Sequence, residues 1–400
     1  MNNVLSNKLK EVGLTVPHIL LPNKNINLSK FSCIAADQFT QDLNYWKRVK
    51  KYVGSKPSTY NLIYPEAEYL VGASTNVGAN ACDSYLTNKI QSINSTMENY
   101  IRDGIYEDIG PSFVFVERER CGATRHGLIV AVDLTQYDYN EGAKSLMRAT
   151  EKTVKDRLVV RKKIRENATL DIPHILVLIN DKEDNLFKKL NDIISKINPN
   201  ECNDKILYDF DLMENGGHIK GYKISNETDI ETIADELIKL KNNAEDGFLY
   251  AVGDGNHSLA AAKDVYEETG RGRYALVEIV NVYDKGLSFY PIHRLIMDID
   301  EKTFAKETGI DPKNPPPLQE FQKILDEHNY KIDYIHGKKE CEELGRKNNN
   351  IAITYDEFSI STLFSDVIKN GSLCRKSFSM GEAEDKRYYL EAQKILGGII

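Results

Sequence analysis

A chain of 400 residues, 41% apolar and 28% charged with a single tryptophan, has the composition of an ordinary globular protein, not of a disordered or fibrous one. Its 52 Lys and Arg against 60 Asp and Glu leave a net charge of −8, which argues against nonspecific nucleic-acid binding but leaves room for a local basic pocket. Six scattered cysteines (Cys33, Cys82, Cys121, Cys202, Cys341, Cys374) form no CxxC pair and no zinc-type spacing, so neither a zinc site nor a disulfide framework is expected, and a reducing cytoplasm fits.

In chain order, the opening MNNVLSNKLKEVGLTVPHILLP mixes polar and charged residues and lacks the apolar core of a secretion signal. Asp83–Gly104 has apolar residues at helical spacing and ends on glycine, which predicts a helix. FVFVER (Phe113–Arg118), HGLIVAVDL (His126–Leu134) and HILVLIN (His174–Asn180) read as strands, and Asp184–Ile197 as a second helix. Further strands are predicted at GFLYAV (Gly247–Val252), YALVEIVNV (Tyr274–Val282) and IAITY (Ile351–Tyr355). The longest clean apolar run, ILVLI, is strand-sized, so no membrane span is expected. This alternation predicts an α/β (mixed α+β) protein. The proline-rich DPKNPPPLQEF (Asp311–Phe321) marks a boundary between a catalytic α/β region, residues 1–310, and a C-terminal α+β region, 311–400. The basic segment 375–387 of that second region can return to the active site.

The most informative stretch is LYAVGDGNHSLAAAKDVY (Leu249–Tyr266), a strand, a glycine-flanked turn and an alanine-rich helix. Unpaired amides and the helix dipole make such a helix start a natural anion site. Gly253 and Gly255 allow close backbone approach, and Asn256 or Ser258 can cap the helix through a side-chain oxygen. Asp-Gly-Asn is also ordinary turn chemistry. His257 points beyond that, because a turn has no steric use for an imidazole. Asp254 could take a proton from a substrate hydroxyl while His257 donates to a phosphate.

Four other stretches carry cations. Ser145–Asn167 holds Arg148, Arg157, Arg161 and Arg165, the last three on one side of a helix, although a solvated face would look alike. Asp209–Tyr222 joins paired glycines to His218 and Lys220, which suits an anion-holding loop or a plain hairpin. His293 and Arg294 follow in YPIHRLIMD, near the same sheet edge or in a surface turn. Arg375–Ile395 reads as a polar lead with Lys376 and Ser379 into a charged helix bearing Lys386 and Arg387. No GxSxG, GxxxxGK[ST] or GxGxxG occurs, so any nucleotide use needs a non-Walker site.

VGDGNHSLAAAK, CIAADQFTQDLNYW, LMRATE, RKKIRENATLDIPHILVLI, LYDFDLMENGGHIKGY, FYPIHRLI and RKSFSMGEAEDKRYYLE together resemble a widespread family long known only as a domain of unknown function, over nearly the whole chain. That family is similar to the ParB/sulfiredoxin-like fold and to the free serine kinases within it, so the resemblance implies a ParB-like core around the strand-turn-helix at 247–266. The kinase signature Asp-Gly-His-His-Arg meets Asp254-Gly255-Asn256-His257-Ser258, with departures at Asn256 and Ser258. Without the Arg, the resemblance implies a phosphoryl donor handled by other cations. It implies a phosphotransferase that makes O-phospho-L-serine from free L-serine and inorganic pyrophosphate, with Mg²⁺ on the diphosphate and a place in serine metabolism and cysteine biosynthesis. Asp254 would orient or deprotonate the serine hydroxyl, His257 and the helix start would hold the phosphoryl group, and Asp37 would bind the serine amino group or the metal. The diphosphate would meet cations drawn from Arg148, Arg161, Arg165, Lys220, Arg294, Lys376 and Arg387, beside His218 and His293. Two rivals are an ATP- or ADP-dependent serine kinase of the same fold, and a ParB-like nucleic-acid-binding or noncatalytic anion-binding regulatory protein. The last would need a basic face, which the charge opposes.

Overall fold

The computed structural model describes residues 2–39, 42–65, 79–155, 158–196, 205–347 and 349–395, with the side chains of Asp37 and residues 79–83 outside the description. The fold is mixed α/β, built on a ten-stranded sheet of parallel and antiparallel pairs. Its strands run in the order Ile206–Asp211, His218–Ile224, Phe113–Arg120, Ala123–Asp133, Tyr274–Asn281, Leu176–Ile179, Tyr250–Asp254, Met147–Ala149 and Tyr137–Asp138, with Leu14–Thr15 pairing beside Ala123–Asp133.

Side chains alternate across a strand, so each strand feeds two cores. Phe113, Phe115, Leu128 and Val130 pack with Leu5, Ile233, Leu237 and Leu259 on one face. Val114, Val116, Ile129 and Ala131 pack with Phe31, Trp46 and Tyr389 on the other. The central strand Leu176–Ile179 has no polar position because both of its faces are covered and every residue is buried. The predicted helices are found within Ala79–Arg102 and at Asn185–Ser195.

The strand Tyr250–Asp254 pairs antiparallel with Leu176–Ile179 and parallel with Met147–Ala149. Its register slips between Val252 and Asp254, at Gly253, where an added Cβ would lie 2.4 Å from Met380 Sδ. The bulge lets the strand end on Asp254 with the sheet behind it.

His293–Ile296, Ile332–Ile335 and Ile351–Ile353 form a small second sheet. Its core joins Ile296 and Phe304 to Phe321, Leu325, Ile351 and Ile353. The proline-rich break thus lies between two helices of one small unit, Glu301–Thr308 and Leu318–Glu327, and the expected boundary at 310/311 falls inside a shared core. The chain then returns, and Phe378–Met380 pairs with Phe289–Pro291.

One expectation is overturned at Arg375–Ile395. In place of a charged helix there is the strand Phe378–Met380, a 3-10 turn at Ala383–Asp385 held by a Glu382/Asp385 capping box, and extended chain to Gln393–Lys394. Lys386 through Gln393 are all buried, so this segment has no solvent face for the charged side of an amphipathic helix.

Candidate functional site

A cavity of about 260 Å³ lies where the Tyr250–Asp254 strand hands over to the helix Asn256–Thr269. Gly255 makes the handover at φ +86°, a left-handed conformation that suits glycine, and an added Cβ would meet Ile175 Cγ1 at 2.9 Å. No side chain caps this helix. Asn256 and Ser258, the expected caps, are used otherwise. Asn256 Oδ1 accepts from the Thr150 amide at 3.2 Å and its Nδ2 donates to the Val252 carbonyl at 3.1 Å, which ties the turn to the neighbouring strand. Ser258 Oγ lies 3.1 Å from His174 Nε2, and His174 Nδ1 lies 2.9 Å from the Tyr389 hydroxyl.

Asp254 Oδ1 pairs with Lys386 Nζ at 3.2 Å, the lysine being almost fully buried. His257 Nε2 accepts from the Val154 amide at 3.3 Å, so in its neutral form the ring carries its proton on Nδ1. Glu151 lines the same cavity and accepts from the Ser377 amide at 3.2 Å. Burial pushes the Glu151 carboxyl above the usual carboxylate range, against the opposing pull of Lys376. Arg161, Arg165, Arg375 and Lys376 also line the cavity. Arg165 Nη1 binds Asp171 at 2.7 Å, while its buried Nη2 and the buried Nε of Arg375 have no hydrogen-bond partner among the described residues.

Of the residues singled out from sequence, the cavity brings together Asp254, Gly255, Asn256, His257, Ser258, Arg161, Arg165 and Lys376. Six others do not line it. Arg148 is buried against Asp246 at 2.9 Å and over the Phe248 ring at 4.6 Å. Arg387 is buried between Glu278, at 3.0 Å, and Glu391. Arg294 is enclosed by Gln322 Oε1 and the carbonyls of Ile292, Arg375 and Lys376, so it braces the segment that carries Lys376. His293 is buried, its Nδ1 accepting from the Tyr355 amide. His218 and Lys220 sit in a hairpin at the other end of the sheet, paired with Asp209 and Asp211 at 2.8–3.2 Å. Asp37 starts a 3-10 turn at Asp37–Phe39 with its side chain outside the description, and Arg157 lies outside the described residues.

Sequence reasoning missed Glu151, His174 and Tyr389 as site residues, and reached Arg375 and Lys386 only through the basic segment 375–387. A faint signal existed for two of them. Glu151 ends the LMRATE stretch, and Lys386 adjoins the arginine that was chosen in its place. Among the described residues no group of three metal-ligating side chains converges, and no helix is long and apolar enough to cross a membrane. The carboxylates among the residues that line the cavity are Glu151, Asp171 and Asp254.

No curated protein is significantly similar to this chain. Among solved structures, a free serine kinase in complex with ADP is 11% identical, with 66% of this chain and 91% of that chain covered and a TM-score of 0.35. SbnI from Staphylococcus aureus, with a C-terminal truncation, is 11% identical over 63% of this chain and 82% of that chain, with a TM-score of 0.33. A conserved hypothetical protein from Pyrococcus furiosus is 12% identical over 64% and 90%, with a TM-score of 0.32. Likenesses this slight carry no argument about activity. The family model described as "Protein of unknown function (DUF1015)" matches residues 20–393, and the chain belongs to that family.

Proposed function

We propose that the protein is a phosphotransferase that makes O-phospho-L-serine from free L-serine with inorganic pyrophosphate as donor, Mg²⁺ entering as part of the diphosphate substrate. The observation that supports it most is the juxtaposition of the Asp254–Lys386 pair with a helix start that no side chain caps, inside a cavity also lined by Arg161, Arg165, Arg375 and Lys376. At about 260 Å³ the cavity is below the roughly 300–1,000 Å³ of sites for drug-sized ligands. It suits two small polar substrates better than a protein side chain with its backbone. In phosphoryl transfer most of the work is positioning and charge stabilisation, which a ring of fixed cations supplies.

Asp254 and Lys386 orient the serine, whose ammonium and carboxylate need one partner of each sign. Glu151, which lines the same cavity and whose carboxyl burial raises, takes the hydroxyl proton. The helix start, His257 and the arginines hold the transferring group and the departing phosphate. The test supplies purified protein with L-serine and Mg²⁺ plus pyrophosphate, ATP or ADP. Phosphoserine from pyrophosphate alone supports the reading. Phosphoserine from ATP or ADP alone overturns the donor, and none from any donor overturns the activity.

A further inference from the structure

We infer that Ser258 is a covalent phosphoryl acceptor, activated by His174, so that transfer proceeds through a phosphoserine on the protein itself. The inference rests on the phosphoryl-transfer reading above and concerns the same cavity. Three observations carry it. Ser258, the third residue of a 14-residue helix, is only partly buried and lines the cavity. A serine in a first turn ordinarily spends its hydroxyl on the backbone, yet here Oγ lies 3.1 Å from His174 Nε2. His174 is in turn held through Nδ1 by the Tyr389 hydroxyl at 2.9 Å, Tyr389 being 7% exposed. A nucleophile in contact with a base, and a base oriented by a third group, is the arrangement that activates hydroxyls for covalent catalysis.

In the first half-reaction Ser258 Oγ attacks the terminal phosphorus of pyrophosphate. The Oγ–P bond forms, the bridging P–O bond breaks, the hydroxyl proton passes to His174 Nε2, and orthophosphate leaves. For this His174 must carry its resting proton on Nδ1 and donate it to the Tyr389 oxygen, so Tyr389 is a positioning residue. The helix start, with no side-chain cap, lies in the same cavity to stabilise the transferring group. In the second half-reaction the substrate serine hydroxyl attacks the phosphoryl group, the Ser258 Oγ–P bond breaks, and His174 returns its proton to Oγ. The substrate proton goes to Glu151. No other reactant is required.

Such a double displacement predicts that the protein with Mg²⁺ and pyrophosphate, without serine, gains one phosphoryl group, located by peptide mass spectrometry at Ser258. It also predicts exchange of labelled orthophosphate into pyrophosphate under the same conditions. Ser258→Ala loses both signals, and His174→Gln slows the exchange by about 10²–10⁴-fold. Tyr389→Phe, a subtler change, shifts the pH profile of exchange, which a merely structural tyrosine would leave in place. If the unaltered protein makes phosphoserine from pyrophosphate with neither label nor exchange, or the label sits elsewhere, transfer is direct and this inference falls while the proposed function stands. Label at Ser258 and exchange without free phosphoserine uphold it and overturn serine as acceptor. If no label, exchange or phosphoserine appears, both readings fall.

Discussion

Glu278 is a carboxylate with no exposed surface, set in the middle of the sheet on Tyr274–Asn281. Arg125 Nη2 lies 3.2 Å from its Oε1 and Arg387 Nη1 3.0 Å from its Oε2. Gly127, on the neighbouring strand, leaves the room, since an added Cβ would sit 2.2 Å from Glu278 Oε1. The arginines hold the carboxyl below its usual range against the upward push of burial. Glu278→Gln keeps the shape and removes the charge. Arg387 retains Glu391, whereas Arg125, its side chain 5% exposed, loses its carboxylate. Breaking one partner of a buried pair typically costs about 3–5 kcal/mol. With an unfolding entropy of about 2.1 cal/mol/K per residue over a 400-residue chain, that cost is a fall in Tm of about 4–6 °C. Circular dichroism melts of the parent and the variant measure it directly. Replacing Arg125 and Glu278 together with Met should recover part of the loss, because an apolar pair carries no desolvation cost. A Glu278→Gln melt within 1 °C of the parent, or a double variant worse than the single, would refute the reasoning.

Three further outcomes are expected. Glu151→Gln lowers phosphoserine formation about 10²–10⁴-fold and removes the acid limb of the pH profile, since a carboxyl raised by burial acts as a base only above its raised pKa; an unchanged profile would exclude Glu151 as the base. Gly255→Ala forces an alanine into φ +86° against Ile175, costs about 1–2 kcal/mol in chemical denaturation, and raises the KM for pyrophosphate more than that for serine because the helix start is displaced. Lys220→Ala leaves the transfer rate as it is and alters stability by no more than about 1 kcal/mol, because Lys220 is partly exposed and paired on the surface with Asp209; a loss of activity would place that hairpin in the site after all.

Much of the fold was legible because it is written in short-range pattern. The strands at Phe113, Ala123, Leu176 and Tyr274 follow from apolar runs, and the helix at Asn185 from its spacing. The same logic failed at Arg375–Ile395, where charged residues suggested a helix and burial imposed an extended chain. In an extended chain neighbours point opposite ways, so Lys386 meets Asp254 while Arg387 turns inward to Glu278. That single difference of geometry explains why the wrong cation of the pair was chosen.

By itself the sequence determined the α/β alternation, the glycine-flanked turn at Asp254 and the absence of a Walker-type phosphate loop. It placed Asp254, His257 and Ser258 together because they are neighbours in the chain. Only the tertiary structure decided which partners meet them. Lys386 is 132 residues from Asp254, and His174 is 84 from Ser258. Such pairs are set by sheet order and by burial of the returning C-terminal segment, not by local propensity. A buried arginine and a site arginine look identical in one dimension, and what separates Arg148, Arg294 and Arg387 from Arg161 and Arg165 is that only the last two line the cavity.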